Sequence, residues 1–276
     1  MNNQVDLAKK EHWDRLYKQE SGTVISGWKP KFYNDLSLEY IILKEIDRYR
    51  PKTILEVGCG NSRWLPYLAK NRPLKVFGME YSEEGCELAR RMLAENNVEG
   101  TIFCRDLFKA QPEDLGQYDF VYSLGLAEHF ADLKDILFHL AKFVKPGGVL
   151  LTEIPNLSSF HGCLVRVYQP GLLEKHRIIS QKDLHDAHFE LGLRKVRSTY
   201  VGLFSLGIVA WGMYQRFPRL DAVILPLIRK LSSACDKVLR NLGIFYGTRC
   251  FSPYIYAIGE KPQDGKSAGS NELIHL

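Results

Sequence analysis

The chain has no cysteine pair at Cys-x-x-Cys spacing, no apolar run long enough to cross a bilayer, and no basic run of the kind that grips a phosphate backbone. Each absence removes a class. The six cysteines (Cys59, Cys86, Cys104, Cys163, Cys235 and Cys250) are scattered, which fits reduced, mostly buried thiols better than a zinc site or a disulfide frame. The charge-free stretch Tyr200 to Gln215 falls short of the roughly 20 residues a spanning helix needs. A net charge of +5 is too small to call for a nucleic-acid partner. The segment Met1 to Glu11 has no apolar signal region, so a cytoplasmic setting is expected. No internal repeat is visible, and a charged fraction of 25% is ordinary for a soluble enzyme.

What is present is concentrated in Ile54-Leu-Glu-Val-Gly-Cys-Gly-Asn-Ser-Arg-Trp-Leu65. Thr53 to Val57 reads as a buried strand of parallel-sheet length. Gly58 and Gly60 permit a tight turn and a close backbone approach to a ligand. The helix that follows directs unsatisfied N–H groups at the same place. A dinucleotide loop would want a third glycine where Arg63 stands. Glu56 is an acid inside an apolar strand. A second strand, Leu74 to Met79, ends in Glu80, and an acid at that place accepts both hydroxyls of a ribose.

Glu-x-Gly-x-Gly followed by a strand-end acid resembles the class I S-adenosylmethionine (SAM) dependent methyltransferases. Cys104-Arg-Asp106-Leu107 resembles the family's acid after the third strand, which meets the adenine amino group. Tyr118-Asp-Phe-Val-Tyr-Ser123 resembles its fourth strand, and Val144-Lys-Pro-Gly-Gly-Val-Leu-Leu151 its turn into the fifth. The resemblance implies SAM as cofactor, held by Glu56, Gly58, Cys59, Gly60, Glu80, Tyr81, Asp106, Leu107 and Ser123. It also implies an α/β fold, a Rossmann-like doubly wound sheet of seven mainly parallel strands.

The alternation of elements agrees with that fold. An amphipathic helix is expected over Val5 to Gln19, within an N-terminal lid of residues 1–34, and another over Asp35 to Tyr49. Helices are also expected over Glu83 to Asn96 and Leu133 to Val144, with strands between. Ser180-Gln-Lys-Asp183 resembles a capping box that opens a helix. Pro155 to Pro170 reads as irregular. Strand six is expected at Leu193 to Val201 and strand seven at Pro253 to Gly259. The cofactor domain is thus residues 35–201 with 253–262, and residues 263–276 form a flexible tail. Residues 202–252 between strands six and seven form a helical insertion. Its Leu220, Ile224, Leu227, Leu231, Ala234, Val238 and Leu242 share one stripe. Such a cap either packs on the enzyme core or serves a lipophilic acceptor, leaving peripheral membrane contact open.

Methyl transfer from a sulfonium needs alignment, exclusion of water and, for a hydroxyl acceptor, a base. Leu124-Gly-Leu-Ala-Glu-His129-Phe follows the fourth strand and is similar to the Glu-His segment of the ubiquinone-biosynthesis type of methyltransferase. It implies His129 as that base; a structural role across the cleft is the alternative. Some members hold a divalent metal there with an earlier Glu. Gly125 occupies that place, and Glu128 with His129 alone are too few ligands, so no metal is expected. His185 and His188 lie three apart and read as helix-surface residues rather than a metal pair. The Asn/Asp-Pro-Pro-Tyr segment of amino-base methylators is missing at Ser123-Leu-Gly-Leu. The reading is therefore a methyltransferase for a small-molecule, glycan or lipophilic acceptor, with oxygen favoured. A non-catalytic SAM-binding or assembly protein and an aminopropyltransferase are the alternatives.

Overall fold

The computed structural model describes residues 5–20, 26–30, 33–202, 238, 241–243 and 247–263. A seven-stranded sheet forms the centre. Its strands are β1 (Thr53–Val57), β2 (Lys75–Glu80), β3 (Gly100–Cys104), β4 (Tyr118–Leu124), β5 (Val144–Pro155), β6 (Arg194–Val201) and β7 (Tyr254–Glu260). They lie in the order β3-β2-β1-β4-β5-β7-β6. Strands β1 to β5 pair in parallel, and β7 runs antiparallel to both β5 and β6.

Neighbouring residues on each strand feed opposite faces, as the pleat requires. Ile54, Val76, Phe120 and Tyr122 pack under α2 (Tyr33–Tyr49), α3 (Trp64–Asn71) and α4 (Glu83–Glu95), through Ile42, Leu68 and Ala89. Leu55, Val121 and Leu150 pack on the other face, against α5 (Leu133–Lys142) and α6 (Gln181–Glu190), through Ile136, Leu137 and Leu184. Burial on both sides explains why these strands read as continuous apolar runs.

Caps set the helix starts. Ser82 accepts from Gly85 N at the start of α4, and Asp132 accepts from Lys134 N and Asp135 N at that of α5. The Ser180–Asp183 capping box forms as expected. The N-terminal helix α1 is shorter than its pattern, Lys10–Glu20. The Pro146-Gly147-Gly148 turn lies inside β5, as an irregularity between the pairs Tyr118–Val144 and Phe120–Val149.

Two expectations need correction. The irregular stretch contains a helix, Phe160–Tyr168, capped by Ser159. Cys86 and Cys104 are not free thiols; their sulfurs are joined in a disulfide. Cys104 ends β3 beside the first turns of α4, an adjacency that linear spacing does not reveal. Most of the helical insertion expected at 202–252, and the tail beyond 263, lie outside the described residues. The insertion's two roots do meet: Ser252 Oγ donates to Gly202 O at 2.7 Å. Val201 and Pro155 both pair with Tyr254, so those roots sit at the carboxyl ends of the parallel strands.

Candidate active site

A cavity of about 350 Å³ opens at the carboxyl ends of β1, β2 and β4. Gly58, Glu80, Tyr81, Asp106, Leu107 and His129 all line it, with Trp13 and Tyr17 from α1 on the outer side. Five of the nine expected cofactor residues, and the expected base, thus share one wall system. Glu56, Cys59, Gly60 and Ser123 lie behind that surface rather than in it.

The turn after β1 is built by backbone geometry. Gly58 has φ +79°, and a Cβ there would press Leu126 at 3.1 Å. Its N–H is held by Met79 O at 2.8 Å, which pins the turn to the end of β2. Glu80 is 4% exposed, and three backbone N–H groups aim at its carboxylate. Gly60 donates to Oε2 at 3.1 Å, and Tyr81 and Ser82 each donate to Oε1 at 2.9 Å. Burial pushes its pKa up and these donors oppose the shift. With three of its roughly four acceptor sites filled, the carboxylate keeps one, on Oε2, for a ribose hydroxyl at the cavity wall. Asp106 uses Oδ1 to hold Phe108 N at 3.0 Å, and Oδ2 lies 3.4 Å from Lys109 Nζ. Glu56 Oε2 accepts from Ser62 Oγ at 2.6 Å and from Tyr122 OH at 2.7 Å. Full burial pushes Glu56 up to about 7 and raises the Cys59 thiol as well.

Helix α1 is strapped over the opening. Leu7 N donates to His129 O at 2.8 Å, Tyr81 OH to Asp6 Oδ2 at 2.8 Å, and Ser82 Oγ bonds Asp14. The Tyr17 ring is seated where a Cβ on Gly60 would lie. Trp13 stacks on Tyr17 and meets His129 edge-on, with ring centroids 5.0 Å apart.

His129 sits in a short 3₁₀ turn, Ala127–His129, just past β4. Its Nδ1 is 2.8 Å from Lys175 O, and a carbonyl can only accept, so Nδ1 carries the proton and Nε2 the lone pair. Burial, with His176 beside it, brings its pKa down to about 4. His176 is held the same way, Nδ1 to Leu172 O at 2.6 Å. Burial pushes the Glu128 carboxyl up to about 8, and Glu128 Oε1 lies 3.8 Å from His129 Nε2. Glu128 Oε2 and Glu153 Oε1 are buried without a hydrogen-bond partner among the described residues.

Sequence spacing offers only Glu128 and His129 as metal ligands; the structure adds His176. Ligand atoms of the three lie within 4.8 Å of one another. Both imidazoles donate Nδ1–H to a backbone carbonyl and keep Nε2 free, the arrangement of metal-ligating histidines. Linear spacing does not join His176 to His129, because it arrives on the loop after the short helix Pro170–Leu173. His185 and His188 do not pair. Against the surface expectation, His188 is fully buried on Thr152 and Leu184 O, and His185 faces Asp186.

A methyltransferase-domain family model matches residues 35–198, more than half of the 276. The chain belongs to that family. It is of the class I SAM-dependent type, and SAM is its cofactor. The chain is 31% identical over 115 residues to the ubiquinone biosynthesis O-methyltransferase of Vibrio parahaemolyticus, covering 42% of this chain and 48% of that one. It is 26% identical over 117 residues to a probable tocopherol O-methyltransferase of Oryza sativa, covering 42% and 32%. It spans about half the length, or less, of these curated relatives. Among solved structures, a putative sarcosine dimethylglycine methyltransferase from Galdieria sulphuraria superposes with TM-score 0.59 at 13% identity, covering 90% and 98%. The [4+2]-cyclase SpnF gives 0.62 at 13%, covering 94% and 97%. At such identities the likeness is one of fold, and the cyclase shows that this fold alone does not choose the reaction.

Proposed function

We propose that this methyltransferase moves the SAM methyl group to an oxygen of a small or lipid-linked acceptor, with His129 taking the proton. The observation that carries the proposal is the Nε2 lone pair of His129, left free by the Nδ1 bond to Lys175 O in a residue that lines the cavity. Bound SAM supplies a methyl group on a sulfonium, a strongly activated electrophile. Glu80, Gly58 and Asp106 hold the cofactor's adenosine, and α1 excludes water. His129 accepts the acceptor's O–H proton at Nε2 as the oxygen attacks. Its depressed pKa keeps the imidazole neutral, and so able to accept, at physiological pH. Glu128 Oε1 lies 3.8 Å from that Nε2, but with its carboxyl pushed up to about 8 it is mostly protonated at physiological pH and supplies no ready counter-charge. Both sequence relatives are named as O-methyltransferases, which supports oxygen as the acceptor atom. A lipophilic acceptor is supported by the insertion's roots at the carboxyl end of the sheet. A cytoplasmic site of action, with residues 202–252 touching a membrane surface, completes the proposal.

His129→Ala should lower the methyl-transfer rate by roughly 10²–10⁴ with SAM affinity little changed. A loss below about threefold, well short of the usual acid–base contribution, would return His129 to a structural role. A divalent cation on Glu128, His129 and His176 is the second reading, favoured by their convergence. It would polarise the acceptor oxygen and occupy the same Nε2. The base reading therefore predicts that exhaustive chelation leaves the rate unchanged. A rate that collapses with EDTA and returns with added cation would replace it.

A further inference from the structure

A second recess, about 630 Å³, lies at the opposite end of the sheet from the cofactor. Its walls are the amino ends of four strands: Thr53 of β1, Lys75 of β2, Asp119 of β4 and Lys145 to Gly148 of β5. The end of α2 closes one side with Tyr49 and Arg50, and Gln263 the other. Lys75 pairs with Thr53 in the sheet, and Lys75 N donates to Lys52 O at 2.9 Å, so these basic residues converge through fixed backbone.

The charge is unbalanced. Four cations, Arg50, Lys52, Lys75 and Lys145, face one acid, Asp119. That acid is already used. Its Oδ1 accepts Lys145 Nζ at 2.8 Å, and its Oδ2 accepts Lys52 N, Thr53 N and Thr53 Oγ1 at 2.8–2.9 Å. Burial alone would raise its pKa, but these bonds hold it down to about 2. Asp47 is close enough to feel Arg50, but Arg72 takes both its oxygens at 2.6 and 2.8 Å. Among the described residues, the charged ends of Arg50, Lys52 and Lys75 have no ion-pair partner.

A helix C-terminus attracts cations, and α2 ends here. That end carries only about half a negative charge, which one arginine exceeds. Two lysines are then left over. A carboxylate would leave most of this charge uncompensated. A phosphate ester, at about −1.5 to −2, or a diphosphate matches it. The recess is also large enough for more than the phosphate alone.

We propose that this recess is a second binding site, for a phosphate-bearing anion held by Arg50, Lys52 and Lys75. The anion is either a soluble phosphorylated molecule or the headgroup of a phospholipid. The site is independent of the cofactor cavity, so its failure would leave the methyltransferase reading untouched.

Titration calorimetry with inorganic pyrophosphate, at ionic strength fixed with sodium chloride, tests the site. Wild type should bind saturably. The Arg50→Ala, Lys75→Ala variant should bind at least about tenfold more weakly, as two charge-assisted contacts are lost. Its SAM affinity should not change. The Lys52→Ala, Lys75→Ala variant serves if the first does not fold. No saturable binding at millimolar pyrophosphate, or equal binding by wild type and variant, would overturn the proposal. Flotation with phosphatidylglycerol vesicles separates the sources. Flotation that needs Arg50 and Lys75 identifies a lipid headgroup; pyrophosphate binding without flotation identifies a soluble ligand.

Discussion

Glu56 and Glu80 are buried acids on neighbouring strands, and their surroundings give them different roles. Glu80 is held by backbone donors at the cavity wall, whereas Glu56 is bonded to Ser62 and Tyr122 behind it. The pKa of Glu56 rises from 4.5 to about 7 on folding, chiefly by burial. A raised folded pKa means that this group's stability is whole below the unfolded value and is lost as pH climbs through about 7. The shift corresponds to roughly 3 kcal/mol. Glu56→Gln keeps an oxygen for Ser62 and Tyr122 but cannot ionise. Denaturant melts from pH 4 to 8 should show wild type losing stability against the variant across that window. Parallel curves would mean Glu56 is not buried as a titrating acid. Residues such as Glu80 and Gly58 were legible because their signal is local, an acid at a strand end and a glycine at a turn. His176 was not, because only tertiary packing brings it to His129, at a ring-centroid distance of 4.3 Å.

At the scale of elements, α1 is the part of the site that lies outside the matched family region. Its grip on the turn is specific: Tyr17 fills the space over Gly60 and Gly85. Gly60→Ala should therefore displace the Tyr17 ring and weaken SAM binding, by about tenfold if the lid contact is worth near 1.4 kcal/mol. In a Tyr17→Ala background the same change should cost much less, since neighbours that share a space are not additive. Equal costs in both backgrounds would remove Tyr17 from the lid. The helix Phe160–Tyr168 escaped the sequence because Gly162 and two valines dilute its helical signal. The glycine is there for packing, since a Cβ would collide with the Leu157 backbone. The Ser180–Asp183 capping box and the long α2 stripe were readable, because each is a short-range pattern.

Over the whole molecule, the sheet separates two kinds of chemistry. Its carboxyl end carries the cofactor cavity, the Glu128–His129–His176 group and the roots of the insertion. Its amino end carries the basic recess. The seven-stranded, mainly parallel sheet was legible from alternation and motifs, since parallel strands need helical crossovers and leave few topologies. The acceptor was not, because its pocket would be completed by residues that follow no family pattern. No described helix is long and apolar enough to cross a membrane. A Phe204→Ala, Trp211→Ala variant should float less with liposomes and show a raised Michaelis constant for a lipophilic acceptor. If both stay unchanged, the insertion has no part in acceptor capture.

The central claim is that the cavity between α1 and the carboxyl ends of β1, β2 and β4 holds SAM, with Glu80 on the ribose. Calorimetric titration of SAM into wild type and Glu80→Ala tests it most directly. One saturable site is predicted for wild type, weakened in the variant by about 1.5–3 kcal/mol, the usual worth of a charge-assisted bond. Equal affinity in the two proteins would contradict the account.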